Sequence, residues 1–143
     1  MGRLSIIYCL VAFLFSACSI LPPGNTESDY FKTESGGFVL NREAKTIRFQ
    51  LTISSRKPIK AGSYIEAHFE NPMGGDALVS THTVEPNEHS FVLTSLPVSG
   101  LSRPKSYMAQ VYLYQDSGKS ELLSTHVQRI QNLHIDNKVL GWE

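Results

Sequence analysis

The sequence lacks the short motifs that mark the common catalytic sites. It contains no Gly-x-Ser-x-Gly, no Gly-x-x-x-x-Gly-Lys and no Gly-x-Gly-x-x-Gly, which are typical of hydrolases and nucleotide-binding proteins. Its five histidines include no pair spaced as His-x-His or His-x-x-x-His, and neither cysteine is next to a histidine. We therefore predict a protein that is not an enzyme and that holds no metal and no cofactor.

An excess of one charge and a set of paired cysteines are missing as well. The chain has 13 Lys and Arg against 13 Asp and Glu, without a long run of either sign. This balance predicts no nucleic-acid partner, since such surfaces are strongly basic. The two cysteines, Cys9 and Cys18, both lie near the N-terminus. A domain that begins after them has no disulfide bond, so its stability must come from packing.

Long hydrophobic runs are scarce, and the one at the N-terminus is short. Residues 4–15 are mainly apolar, but a helix needs roughly 20 such residues to cross a bilayer. Arg3 precedes this run and the small residues Ser16 and Ala17 follow it, which is the pattern of a secretory signal. We predict a cleaved signal peptide over residues 1–17 rather than a permanent membrane span.

The residues that follow the apolar run, Phe15-Ser16-Ala17-Cys18, resemble the lipobox of bacterial lipoproteins. That family most often has leucine where this chain has Phe15. The resemblance implies cleavage between Ala17 and Cys18 and a covalent lipid, with fatty acyl chains such as palmitate, on Cys18. It also implies that Ser19 directs the protein to the inner leaflet of the outer membrane, facing the periplasm. The alternative is that Cys18 lies by chance near a conventional cleavage site.

The composition changes twice after the signal. Residues 18–35 are rich in Pro, Gly, Asn, Ser and Thr without an apolar period, which predicts a lipidated N-terminus and a flexible tether. From residue 36 to residue 143 apolar and polar residues alternate in short segments, which predicts strands with one buried face. The segments are 38–40, 46–55, 65–70, 77–84, 90–96, 106–115 and 122–130.

Two segments leave alternatives open. Residues 122–130 also fit a helix, but Ser124, Thr125 and His126 are poor helix formers and favour a strand. Residues 132–143 form a last short strand or lie along the domain. About seven short strands separated by turn residues predict a single all-β domain, an antiparallel β-sandwich.

Leu101 and Tyr107, six positions apart, open the strand at 106–115. This stretch is similar to the tyrosine corner of fibronectin type III and related immunoglobulin-like domains. The resemblance implies an immunoglobulin-like sandwich in which the Tyr107 hydroxyl bonds to upstream backbone. The alternative is that Tyr107 only fills the core.

A short internal echo relates two of the predicted strands. The sequence Leu-Val-Ser-Thr-His at 78–82 recurs as Leu-Leu-Ser-Thr-His at 122–126. We predict two similar hairpins side by side in one sheet, with His82 and His126 at opposite edges and in contact with solvent. These two histidines are the weak candidates for a metal site.

The strand at 106–115 carries a candidate partner surface. Met108, Tyr112 and Tyr114 lie opposite its apolar face, where they form a binding patch unless the tail around 133–142 covers them. The leading hypothesis is an outer-membrane-anchored periplasmic lipoprotein, a non-enzymatic accessory, assembly or protein-binding module of an envelope complex. The alternative is a periplasmic carrier or sensor of a small ligand or metal, if His82, His126 and Tyr112 converge.

Overall fold

The computed structural model describes residues 27–142 of the chain. The predicted signal peptide, Cys18 and the first half of the predicted tether, residues 18–26, lie outside these residues. Within them the chain forms seven strands and one short helix. These are β1 (Phe31–Asn41), β2 (Thr46–Ser55), β3 (Tyr64–Phe69), β4 (Leu78–Thr83), β5 (Ser90–Thr94), β6 (Lys105–Tyr114), β7 (Leu122–Asn132) and α1 (Asn137–Leu140).

The strands form two antiparallel sheets. One sheet has three strands in the order β1-β2-β5, and the other has four in the order β4-β3-β6-β7. The predicted all-β sandwich is confirmed, and the arrangement is compatible with the immunoglobulin-like class. The two predicted hairpins, β3-β4 and β6-β7, lie side by side in the four-stranded sheet, and β4 and β7 are its edges. No helix among residues 27–142 has the length and apolar character needed to cross a membrane.

The core lies between the inward faces of the two sheets. In β2 the residues Ile47, Phe49, Leu51 and Ile53 are buried and alternate with half-buried polar residues, as the sequence pattern predicts. Phe49 stacks on Phe69 of the opposite sheet at 5.7 Å between ring centroids. Aromatic contacts across the two sheets therefore join them at the centre of the domain.

The first strand begins earlier than the sequence predicted. β1 starts at Phe31, inside the predicted tether of residues 18–35. Phe31 has 0% of its surface exposed, and its ring meets Phe91 edge to face at 6.1 Å. The boundary at residue 36 is wrong because one buried aromatic residue and pairing with β2 order a segment whose composition is that of a linker.

Up to Trp142 the C-terminal segment forms no further strand and lies along the domain, where Ile135 and Trp142 pack against the core. Residues 122–132 are the strand β7, and the chain then makes the one-turn helix α1. The Asp136 carboxylate accepts hydrogen bonds from the first turn of α1, and Gly141 ends it with a φ of 66°. Asn137 is buried and accepts a hydrogen bond from Leu101 N at 2.9 Å. The tail is thereby attached to the connection between β5 and β6.

Candidate functional site

The candidate site is the outer face of the four-stranded sheet. Met108, Tyr112 and Tyr114 alternate along β6 with buried core residues, so they point away from the core, and all three are half-buried. Up to Trp142, the side-chain hydrogen bonds of the C-terminal segment join it to the β5–β6 connection or to itself, and none of them reaches these three residues. We call Met108, Tyr112 and Tyr114 the β6 stripe.

The β6 stripe contacts side chains of the neighbouring strand. The Tyr112 ring meets the His68 ring edge to face at 5.0 Å, and it lies 6.4 Å from the Tyr114 ring. The Tyr112 hydroxyl donates a hydrogen bond to the Gln110 amide oxygen at 2.9 Å. Neighbours on two strands therefore hold the Tyr112 ring, which reduces the conformational entropy that it would lose on binding.

A charged network lies beside the stripe. Glu66 lies in β3 between Ile65 and Ala67 of the core and therefore points to the outer face, yet only 7% of its surface is exposed. One carboxylate oxygen lies 2.6 Å from the Lys119 ammonium, and the other lies 2.7 Å from His68 Nε2. Lys119 also lies over the Tyr114 ring, 5.7 Å from its centroid. The network thus connects the loop between β6 and β7 to the aromatic residues of the face.

The ion pair explains how a carboxylate stays charged at this covered position. The hydrogen bond from Lys119 is the largest influence on the pKa of Glu66 and lowers it below its usual value, with His68 acting in the same direction and burial opposing both. The same hydrogen bond raises the pKa of Lys119. Because one Glu66 oxygen contacts Lys119 and the other contacts His68, this carboxylate positions both side chains.

Tyr107 lies on the core side of β6. Its hydroxyl accepts a hydrogen bond from Ser102 N at 2.8 Å, and Leu101 beside Ser102 is 3% exposed. Lys105 Nζ lies 4.9 Å from the centroid of the Tyr107 ring. A hydrogen bond between this phenol and the backbone five residues upstream is of the kind expected at a tyrosine corner. It fixes the connection between β5 and β6, to which the tail is also attached.

The candidate metal-binding histidines do not converge. His82 and His126 lie on the two edge strands of the sheet, as predicted, and two strands separate them. At about 4.8 Å between neighbouring strands this separation is about 14 Å. Tyr112 lies on the outer face, whereas His126 is buried. Within residues 27–142 no group of three His, Cys, Asp or Glu side chains is placed to hold a metal ion. The carrier hypothesis therefore lacks the convergence that it requires.

The prediction that both histidines are in contact with solvent is wrong for His126, which is 0% exposed. Its Nε2 lies 2.7 Å from the Thr33 hydroxyl, and its Nδ1 lies 3.1 Å from the Ser28 hydroxyl. The Phe31 ring meets the imidazole edge to face at 6.2 Å. His126 therefore joins β7 to the N-terminal strand, across the side of the sandwich where the two sheets meet.

We expect His126 to make the stability of the domain depend on pH. Burial lowers its pKa below the usual 6.5, so the unfolded chain binds the proton more readily than the folded chain. Its contribution to stability is complete above about pH 6.5 and is lost as the pH falls towards the lower pKa of the folded state. We expect the free energy of unfolding, measured with urea, to fall from about pH 7.5 to about pH 5 more steeply in the wild-type chain than in His126→Gln. Equal slopes would show that His126 does not titrate with folding.

His82 has a different environment. Its Nε2 lies 2.9 Å from both oxygens of Glu88, and its ring meets Phe91 edge to face at 5.6 Å. Burial raises the pKa of Glu88, but hydrogen bonds from Glu85 N and His82 outweigh burial and the pKa is lowered. His82 thus links β4 to the β4–β5 loop and to β5 of the other sheet.

Charged residues are unevenly distributed along the chain, a feature that short motifs do not show. Residues 61–102, which include β3, β4 and β5, contain no Lys or Arg and five acidic residues. The overall balance of charge hides this segregation. One part of the domain is therefore acidic although the whole chain is neutral, and only the strand order shows which edge of the sheet this part forms.

No protein-family model and no curated protein matches the chain.

Proposed function

We propose that the chain is a lipid-anchored, periplasm-facing lipoprotein of the outer membrane and acts as a non-enzymatic binding or assembly module of an envelope complex. Two independent features support this proposal. The lipobox-like residues Phe15 to Cys18 favour an anchor on Cys18. The β6 stripe gives the folded part a surface of aromatic and Met side chains, which are favoured at protein interfaces.

The main support for a binding role comes from the environment of Tyr112. A half-buried aromatic side chain held by His68 and Gln110 on an outer sheet face has the character of an interface anchor. Met108 lies beside it and lines a shallow depression with His68, Glu70, Ala77 and Gln110. We propose that a partner protein inserts a side chain into this depression and packs against Tyr112.

The test compares the full chain and its variants in the cell envelope. We expect Tyr112→Ala to weaken the complex with the partner roughly 30-fold, the effect of losing an interface hot spot of about 2 kcal/mol. The measurement is quantitative mass spectrometry of proteins that co-purify with the detergent-solubilised chain. The matched control is Val92→Ala, which truncates a side chain 58% exposed on β5 of the other sheet.

The control separates loss of binding from loss of folding. Urea unfolding of Tyr112→Ala is expected to show a stable domain, since the ring lies outside the core. Recovery of one multi-subunit assembly by the wild-type chain and by Val92→Ala, but not by Tyr112→Ala, supports the proposal. Equal recovery with all three chains contradicts the assignment of the β6 stripe.

A further inference from the structure

The edge strand β4 has backbone groups that point out of the sheet. Val84, which directly follows β4, donates its N–H to Ser63 O at 2.8 Å and accepts from Gly62 N at 2.8 Å. Val84 therefore turns its backbone towards the β3 side. Successive residues of an antiparallel strand turn their N–H and C=O groups to opposite sides. The residues of β4 with backbone groups on the side away from β3 are Val79, Thr81 and Thr83.

The pairing of β3 gives the same assignment independently. Glu70 N donates to Met108 O at 2.8 Å, so Glu70 turns its backbone towards β6. The preceding Phe69 turns its backbone the other way, towards β4, where its register partner is Leu78. The next residue, Val79, then faces outward. Within residues 27–142 the strand β4 pairs with β3 alone.

β4 lacks the features by which proteins usually protect such edges. Exposed edge strands are generally protected by Lys, by Pro or by a β-bulge. β4 has the sequence Leu-Val-Ser-Thr-His-Thr, with no Lys, Arg, Pro or Gly, and it pairs with β3 over six residues without a register shift. Of the other edge strands, β1 and β7 contain register shifts and β7 also carries Arg129, whereas β5 is shorter, with five residues. β4 is thus well suited to accept an added strand.

The charges at the two ends of β4 specify the added strand. Asp76 precedes β4 and Glu85 follows it, and both residues are exposed. Neither carboxylate forms an ion pair with another residue in the range 27–142. If two copies of β4 paired antiparallel, Asp76 of one copy would lie near Glu85 of the other, and like charges would repel. A strand with a basic residue at each end would instead meet an acid at each end.

We propose that β4 binds an extended segment of another protein as a fifth strand of this sheet. The segment is uncharged and rich in β-branched residues at its centre, and it carries Lys or Arg at both ends. Its backbone would pair with Val79, Thr81 and Thr83, and its end charges would face Asp76 and Glu85. The site is separate from the β6 stripe because β3 lies between β4 and β6. It therefore goes beyond the proposed function and is tested separately.

The test titrates a synthetic peptide into the purified full chain. The peptide has alternating Thr and Val over the length of β4, six residues, between two pairs of Lys. Thr81→Pro removes the central outward N–H without removing a hydrogen bond to β3, since Pro is tolerated where the N–H faces solvent. We expect the peptide to bind this variant at least about tenfold more weakly. Thr81→Val keeps the N–H and the branched side chain, so its affinity should equal that of the wild-type chain.

Two further measurements test the charge preference and the backbone pairing of the added strand. A peptide with Glu in place of Lys should bind the wild-type chain weakly, and the double variant Asp76→Lys, Glu85→Lys should reverse this preference. If Thr81→Pro loses stability in urea, the test uses the wild-type chain and a peptide N-methylated at alternate residues. The wild-type chain should not bind this peptide. Equal binding of the Lys and Glu peptides, or unchanged binding to a folded Thr81→Pro, would overturn the proposal. A wild-type dimer that Thr81→Pro abolishes would overturn it in favour of a second copy of the chain.

Discussion

Phe49→Ala is expected to destabilise the domain by about 3–5 kcal/mol, the usual result of truncating a buried phenylalanine. Phe49 is 1% exposed, and its ring contacts Phe38 at 5.0 Å, Phe69 at 5.7 Å and Tyr107 at 5.6 Å. The variant loses the transfer free energy of one ring, one aromatic contact within its own sheet, to Phe38, and two aromatic contacts to the other sheet, to Phe69 and Tyr107. Domains of this size have a total stability of about 5–15 kcal/mol, and none of the described residues is a cysteine that could compensate.

Urea unfolding measures this loss, with Val92→Ala as the control for truncating an apolar residue of a neighbouring strand. Val92 is 58% exposed, so the control should remain within about 0.5 kcal/mol of the wild-type chain. A loss below about 1 kcal/mol for Phe49→Ala would contradict the packing described here. It would mean that the inward faces of the sheets do not form one core around this ring.

Cys18→Ala is expected to move the protein out of the membrane fraction almost completely. If Cys18 carries two or more acyl chains, membrane binding depends on them, since each buried CH₂ contributes about 0.8 kcal/mol. The substitution should also abolish incorporation of a labelled fatty acid. Cys9→Ala is a matched control, because the chain has two cysteines and Cys9 lies within the predicted signal peptide. It should leave labelling and fractionation unchanged. A labelled, membrane-bound Cys18→Ala protein would contradict the proposed anchor.

The strands could be predicted from the sequence because their signal is local. In β2 the alternation of Ile47 and Phe49 with Arg48 and Gln50 gives the bounds Thr46–Ser55 that the structure has. Successive side chains of a strand point to opposite faces of the sheet, so the order of apolar and polar residues alone shows which of them face the core. In β7 the pattern also fits a helix, and the poor helix propensity of Ser124, Thr125 and His126 predicts the strand that the structure has.

The environments of individual polar residues could not be predicted, since their partners are far away in sequence. His126 is buried by Ser28 and Thr33, which come from the other end of the chain and meet it only when the sandwich closes. Glu66 is covered by Lys119, which a loop between two later strands brings back over the face. A period of two assigns each residue to a face, but it does not indicate what covers that face.

For the proposed strand-addition site, the sequence shows the uneven distribution of charge but not which surface of the domain carries it. The absence of Lys and Arg from residues 61–102 can be counted in the sequence. Its consequence depends on the strand order, which leaves β4 at an edge with Asp76 at one end and Glu85 at the other. The chemistry of a partner can therefore be inferred from the charges only after the fold shows that they lie along one edge.

The most direct test of the proposed anchor is the mass of the mature N-terminal peptide from envelope membranes. We expect a peptide that begins at Cys18 and carries a diacylglyceryl group on its sulfur and an acyl group on its new amino terminus. The residues before it, Met1 to Ala17, should be absent from the mature chain. An unmodified Cys18, or a mature chain that still begins at Met1, would contradict the proposed location and the envelope role that depends on it.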